Sequence, residues 1–387
     1  MRAADPAARP RFAPLIGDVV MPTSLDDLVR RSLTRLTPYV AGTTADQARR
    51  RYGLSRVVKL SSNENPLGTS PRALEAIRRI DRLNIYVDDD YRALREKIAG
   101  RHGLTTSQVV LGHGSNEILA QVFTTFTEPG DEVVMAVPTF SLYRSNAVIS
   151  GAAAIEVPLR EGVHDLDAML AAVTSKTKMI VICDPNNPTG TRVERNAFEA
   201  FTRALPERVL LVLDQAYREY MSEGVEGIDY VGTRPRTLVL RTASKIFGLA
   251  ALRFGYALTS EEIVSWLLRT RLPFNVALPA LVAVDAALDD LAFIEESITR
   301  NAAGKAQLAA GFAQLRLPSY SSAANFVAVG VPFAAEAVYD GLLKHGVIVR
   351  SGDALRMPGY LRVTIGTEEE NAIFLDALRA VLEAGGS

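Results

Sequence analysis

From about residue 108 to residue 258, short apolar runs rich in β-branched residues alternate with longer stretches of helical period. The runs are "QVVLG" at 108–112, "EVVMAV" at 132–137, "AAIEVPL" at 153–159, "KMIVIC" at 178–183, "VLLVLD" at 209–214, "TLVLRT" at 237–242 and "FGYAL" at 254–258. Most are continuously apolar, as strands covered on both faces must be, and their alternation with helices predicts an α/β fold with a mainly parallel central sheet flanked by helices. Between the first two runs, "SNEILAQVFTTF" sets Ile118, Leu119, Val122, Phe123 and Phe126 on one helical face, with Ser115 as the expected cap. After about residue 260 the texture changes. A long helical stretch runs to about 315, followed by "NFVAVGV", "VYDGLLKHG", "VIVRSG", "LRVTIG" and a final helix, which predicts a smaller α+β domain. The expected division is an N-terminal segment, 1–50, joined to the small domain, a large domain over 51–275 and the small domain over 276–387.

A chain of 387 residues exceeds what one hydrophobic core usually serves, which supports two domains. Forty-three basic and 44 acidic side chains nearly cancel, so bulk charge makes no case for nucleic acid or an anionic membrane, and small molecules become the expected ligands. The single cysteine, Cys183, forms no internal disulfide, and four scattered histidines lack metal-ligand spacing. A reducing cytoplasm is the expected setting. The N-terminal apolar run is broken by proline and Asp18, and no uncharged stretch approaches the roughly eighteen apolar residues of a membrane span.

Three unusual segments follow predicted strands directly: "DPNNPTG" at 184–190, "DQAYREY" from Asp214, and "TASK" ending at Lys245. Ligands of an open parallel sheet gather beyond the carboxyl ends of its strands, so Asn187, Asp214, Tyr217 and Lys245 are candidates for one pocket. Singly, such residues serve as turn formers, helix caps or solvated charges. Together, an amine, a carboxylate, a phenol and an amide match the needs of an aromatic aldehyde cofactor.

The ordered set "SSNENPLGTSP", "GHGSNEI", "PTF", "DPNNPTG", "DQAYREY", "SKIFGLAALRFGY", "RLPFNV", "GVIVRSG" and "LRVTIG" resembles the pyridoxal-phosphate aminotransferases of the aspartate-aminotransferase fold group (fold type I, class II type). Within that group it is most similar to the histidinol-phosphate aminotransferases, over about residues 36 to 380. The resemblance implies a large PLP-binding domain and a homodimer. It also implies that Lys245 bonds to the cofactor aldehyde and later moves a proton, a task that needs its amine made less basic than the usual ~10.4. Asp214 is implied as partner of the pyridine nitrogen, which keeps the ring an electron sink. Tyr217 and Asn187 are expected to donate to the ring's phenolate oxygen, and Phe140 to stack on its face. The turn before "SNEIL", with Ser115 and Asn116 at a helix start, is expected to hold the phosphate with Thr242, Ser244 and Arg253. The alternative of a dinucleotide fingerprint is weak, because Glu117 stands where the third glycine belongs.

For substrate, "GVIVRSGDALRMPGYLRV" reads as strand, loop, strand, which brings Arg350 near Arg362, two guanidiniums suited to a phosphate or carboxylate. Tyr39 and Tyr86 match the family's pocket tyrosines, the latter reaching in from the second subunit. Where the family carries "DEAY", "YPD", "GLAGLR" and "PFNVN", this chain has Gln215, Val87, Ala251 and Ala277, and Asn116 replaces the phosphate-turn aspartate. The cofactor residues survive these changes while several border the substrate pocket. Three functions therefore remain open: a transaminase using an amine and 2-oxoglutarate, with histidinol phosphate or an aromatic or other amino acid as donor; a decarboxylase or oxidase on the same scaffold; and a cofactor-binding regulator. The last lacks room for a DNA-reading domain in the roughly 35 residues ahead of the matched region.

Overall fold

A computed structural model describes residue 25, residues 28–38 and residues 42–385. Its strands are β1 (Val58–Lys59), β2 (Val109–Gly112), β3 (Glu132–Val137), β4 (Ala153–Pro158), β5 (Thr177–Cys183), β6 (Leu210–Asp214), β7 (Thr237–Thr242), β8 (Gly255–Thr259), β9 (Phe326–Gly330), β10 (Val347–Ile348), β11 (Arg350–Ser351) and β12 (Tyr360–Thr364). Seven form one sheet in the order β2-β8-β7-β6-β5-β3-β4. Pairing from β7 through β6, β5 and β3 to β4 is parallel, and β8 runs antiparallel to both of its neighbours. The seven apolar runs of the sequence are these seven strands, with ends differing by a residue.

The continuous apolar runs are explained by the way successive residues divide between two faces. Val133, Met135, Met179, Val181, Val212 and Leu240 enter one core with Leu119 and Phe123 of the helix Ser115–Phe126. Their neighbours Val134, Ala136, Ile180, Ile182, Leu211 and Leu213 enter another, with Phe198 and Phe201 of the helix Arg195–Ala204. From β3 the chain goes outward to β4, then returns to the other side of β3 as β5. The resulting switch point opens a crevice at the carboxyl ends of β3 and β5.

A second core is built on the antiparallel sheet β11-β12-β9, covered by the helices Ala335–Lys344 and Glu368–Glu383 and by the end of the helix Leu291–Gln314. Strand β1 pairs in parallel with β10, Val58 opposite Val347, and Val58 and Leu60 are buried in this second core. The helix Leu278–Leu288, in contrast, packs through Ala280, Ala283, Val284 and Ala287 with Leu94, Ile98 and Val239 of the large unit. β1 therefore lies with the small core, and the helix Leu278–Leu288 with the large unit. A two-residue strand whose partner lies almost three hundred residues away leaves no periodic signature, and an apolar helix shows no sign of which core it joins. The long helical stretch is three helices, Glu261–Leu267, Leu278–Leu288 and Leu291–Gln314. Among the described residues no helix is long and apolar enough to cross a membrane.

Candidate active site

The carboxyl ends of β3, β5, β6 and β7 border a cleft of about 580 Å³, whose other wall comes from β11 and β12. Two loops at the switch point are tied together by Asn186. Its Oδ1 accepts from Thr139 Oγ1 at 2.7 Å, and its Nδ2 donates to Thr189 Oγ1 at 2.9 Å and to the Pro138 carbonyl at 3.2 Å. That lacing holds Phe140 and Asn187 at the cleft wall.

Lys245 follows β7, and its half-buried side chain lines the cleft. Nζ donates to the Ser62 carbonyl at 3.2 Å and sits 5.7 Å from the centre of the Tyr217 ring. Desolvation, then the nearby Arg362 guanidinium, push the amine down to about 7; Arg253 and Lys59 act the same way, and Glu64 opposes them.

Asp214 ends β6 and is buried. Its Oδ2 accepts from Tyr143 Oη at 2.7 Å and its Oδ1 from the Ala216 N–H at 3.2 Å. Burial raises its pKa against the lowering pull of those two donors and of Lys245. Tyr217 Oη accepts from Asn63 Nδ2 at 3.0 Å, and burial holds its phenol protonated, up to about 12. Asn187 Oδ1 accepts from Arg362 at 2.7 Å, which leaves its amide N–H groups for the cleft.

The helix Ser115–Phe126 points its N-terminus at the same cleft, with Ser115 and Asn116 in the wall. Ser115 is the first helical residue and not the cap. Gly114 holds the cap position at φ 79°, a backbone that favours glycine, and the Arg253 guanidinium lies where a Cβ would stand. Glu117, at the position of the missing third glycine, accepts from the His113 N–H and from Asn275 Nδ2, closing the turn with a carboxylate. Arg253 donates to Ser244 Oγ at 3.2 Å. Thr242 lines the cleft, but its hydroxyl is occupied within the chain: it donates to the Phe254 carbonyl and accepts from the Ser244 N–H, each at 3.1 Å.

Arg350 and Arg362 stand directly opposite each other across β11 and β12, and both line the cleft. Arg362 is buried and donates to the Ser61 carbonyl at 2.6 Å besides Asn187. Tyr86 does not border this cleft; it is 80% exposed and stacked on Phe274 with ring centres 4.5 Å apart. Tyr39 lies outside the described residues. Sequence reasoning assigned no role to Asn63, Tyr143, Arg35, Arg144, Glu156 or Arg356, all cleft residues. Asn63 was signalled only by the polar run "SSNENP"; the structure places it at φ 54°. Tyr143 gave no signal, because a tyrosine within an apolar helix ordinarily fills a core.

An aromatic aldehyde bearing a phosphate fits this set on three observations. One amine is about half neutral at pH 7, a buried carboxylate borders the same cleft without an ion-pair partner within 4.0 Å among the described residues, and a glycine-opened helix N-terminus packs against an arginine. Among the described residues no group of histidine, cysteine or acidic side chains is arranged to hold a metal ion.

Residues 55–378 match the family model for aminotransferase class I and II. The histidinol-phosphate aminotransferase of Brevibacillus brevis is 44% identical over 347 residues, 89% of this chain and 95% of the relative. Histidinol-phosphate aminotransferase 2 of Pseudomonas aeruginosa is 45% identical, covering 92% of this chain and 98% of the relative. Among solved structures, histidinol-phosphate aminotransferase from Sinorhizobium meliloti in complex with pyridoxal-5'-phosphate superposes with a TM-score of 0.83 at 27% identity, over 91% of this chain and 98% of that one. Aspartate aminotransferase from Thermus thermophilus with maleate gives 0.79 at 25% identity, over 92% and 99%. With the family model spanning most of its length, the chain belongs to the class I and II aminotransferases.

Proposed function

We propose that this protein is a pyridoxal-phosphate-dependent transaminase that moves the amino group of histidinol phosphate to 2-oxoglutarate. The observation that carries the reaction class is the pairing, in one cleft, of an amine lowered to about 7 with a buried carboxylate that has no ion-pair partner within 4.0 Å among the described residues. Lys245, Asp214, Tyr217, Asn187, Phe140, Ser115, Asn116, Ser244 and Arg253 would hold the cofactor, with Thr242 supporting them from behind. When bound, it supplies an electron sink for the carbanion left when the substrate loses its α-proton.

The chain's own groups divide the remaining work. Lys245 Nζ anchors, then carries the proton, and a pKa of about 7 lets it accept and release that proton at neutral pH. Asp214 would keep the ring nitrogen protonated. Thr242 braces the turn that presents Ser244 to Arg253, so the phosphate donors are in place before binding. Arg350 and Arg362 give the cleft a cationic end for the substrate phosphate or for the carboxylate of glutamate.

Arginines at that end favour an anionic donor over a neutral aromatic one, and the naming of the relatives at 44% and 45% identity points to histidinol phosphate. Homodimerisation belongs to the same proposal. Tyr86, with Leu83, Ile85 and Leu272, makes an exposed apolar surface suited to a second copy, from which Tyr86 would reach the partner's cleft. A cytoplasmic setting fits the single, buried and free Cys183. The test is glutamate formation from 2-oxoglutarate with histidinol phosphate, phenylalanine, tyrosine or arginine as donor. Turnover with histidinol phosphate at a kcat/KM at least tenfold above the others is expected. Amine loss or decarboxylation without any need for an oxo acid would overturn the proposal.

A further inference from the structure

Asp214 is the group on which the electron sink depends, and nothing in its own chemistry sets how tightly it holds a proton. Burial alone raises its proton affinity. A carboxylate more basic than the pyridine nitrogen would take the shared proton for itself and leave the ring neutral. The cleft must therefore supply donors to Asp214, and it supplies two: the Ala216 N–H at 3.2 Å and the Tyr143 hydroxyl at 2.7 Å.

Of the two, Tyr143 is the stronger and the more firmly placed. Its side chain is fully buried, its ring meets Phe140 edge-on with centres 5.6 Å apart, and it is held by the helix Leu142–Ser150. Burial and the neighbouring Asp214 and Cys183 raise its own pKa well above the ordinary value, so it keeps its proton and stays a donor. Hydrogen bonds to an ionised acceptor are roughly twice as strong as neutral ones, and more so where water is excluded.

We propose that Tyr143 is a positioning residue for the transamination: through its hydrogen bond it holds the buried Asp214 carboxylate, as an ion and in a fixed orientation, where it would keep the nitrogen of a bound cofactor protonated. The proposal rests on the cofactor assignment above. Tyr143 acts only through Asp214, so its loss lowers the rate of proton transfer at the substrate carbon and leaves the arginine end of the cleft intact.

The experiment uses holoenzyme reconstituted with pyridoxal phosphate carrying 15N in the ring, the nitrogen shift reporting ring protonation directly. Tyr143→Phe is expected to move that shift toward the neutral-pyridine value and to lower kcat by roughly ten- to hundredfold, the size of one lost charge-assisted hydrogen bond, while KM for the donor changes less than about twofold. Replacing Tyr143 with a ring-fluorinated tyrosine keeps the shape and strengthens the donor, so its shift should equal the wild-type value or lie further toward pyridinium. This second variant also covers the case in which Tyr143→Phe does not fold. A Phe variant with wild-type shift and kcat, or a fluorinated variant displaced toward neutral pyridine, overturns the proposal for Tyr143. Wild-type protein that takes up no labelled cofactor overturns the cofactor assignment instead, whereas bound cofactor with a neutral ring nitrogen in the wild type overturns the proposal for Tyr143, so the two failures are distinguishable.

Discussion

Capture of pyridoxal phosphate by the cofactor-free protein should follow the titration of one amine, with a midpoint near 7. An amine of pKa 10.5 is neutral in about three molecules in ten thousand at pH 7, whereas one at about 7 is neutral in about half, a gain of roughly 3.2 decades. Nucleophilicity falls with basicity. Taking the thiol slope of roughly 0.4–0.5 per pKa unit, the net advantage over an ordinary lysine is about thirty- to sixtyfold at pH 7. Because protonation blocks attack, the rate constant should rise with pH through 7 and level off above it. Two substitutions separate charge from burial as the cause. Arg362→Gln removes the largest charge contribution and should move the midpoint up; Glu64→Gln removes the one acidic neighbour that opposes it and should move the midpoint down. Stopped-flow absorbance of the cofactor against pH, with borohydride trapping and peptide mapping to confirm Lys245 as the site, measures all three. A wild-type midpoint near 10, or the same direction of shift in both variants, would refute the argument that the cleft tunes this amine.

The remaining expectations are more direct. Lys245→Ala should be colourless after incubation with pyridoxal phosphate and should lose turnover; unchanged activity would remove Lys245 from the mechanism. Asp214→Asn should keep measurable cofactor affinity yet lose most of its rate, at least a hundredfold by analogy with other preorganised electrostatic groups, which single-turnover kinetics will show. Replacing Arg350 or Arg362 with Gln should raise KM for histidinol phosphate and for glutamate more than for phenylalanine, and equal effects across donors would contradict an anion site. Gly255→Ala puts a Cβ against the backbone of Ser115, so the helix N-terminus must shift; weaker pyridoxal-phosphate affinity by equilibrium dialysis is expected, with the Lys245 titration unchanged.

The local chemistry of the large sheet was legible from the chain alone, because doubly covered strands must be apolar at every position and the helices between them must be amphipathic. The same holds for the residues that follow β5, β6 and β7. In an open parallel sheet the strand ends are where a ligand sits, so Asn187, Asp214, Tyr217 and Lys245 could be grouped before any coordinates. The opposition of Arg350 and Arg362 was also readable, since two short strands joined by one local loop meet in antiparallel register.

What sequence left undecided is what depends on contacts between distant segments. Gly114, not Ser115, is the cap because the backbone there takes a positive φ, and the space beside it is filled by Arg253 from far along the chain. Val58 and Leu60 joined the small core because β10 offered them an edge, and the helix Leu278–Leu288 joined the large one because its apolar surface found a partner there. Tyr143 could not be told from a core aromatic until β6 set Asp214 within 2.7 Å of its hydroxyl. Periodicity and motif report what each segment needs to bury or to donate; which group meets that need, and hence the basicity of Lys245 and Asp214, is decided only when burial strips water from them and distant charges and donors take its place.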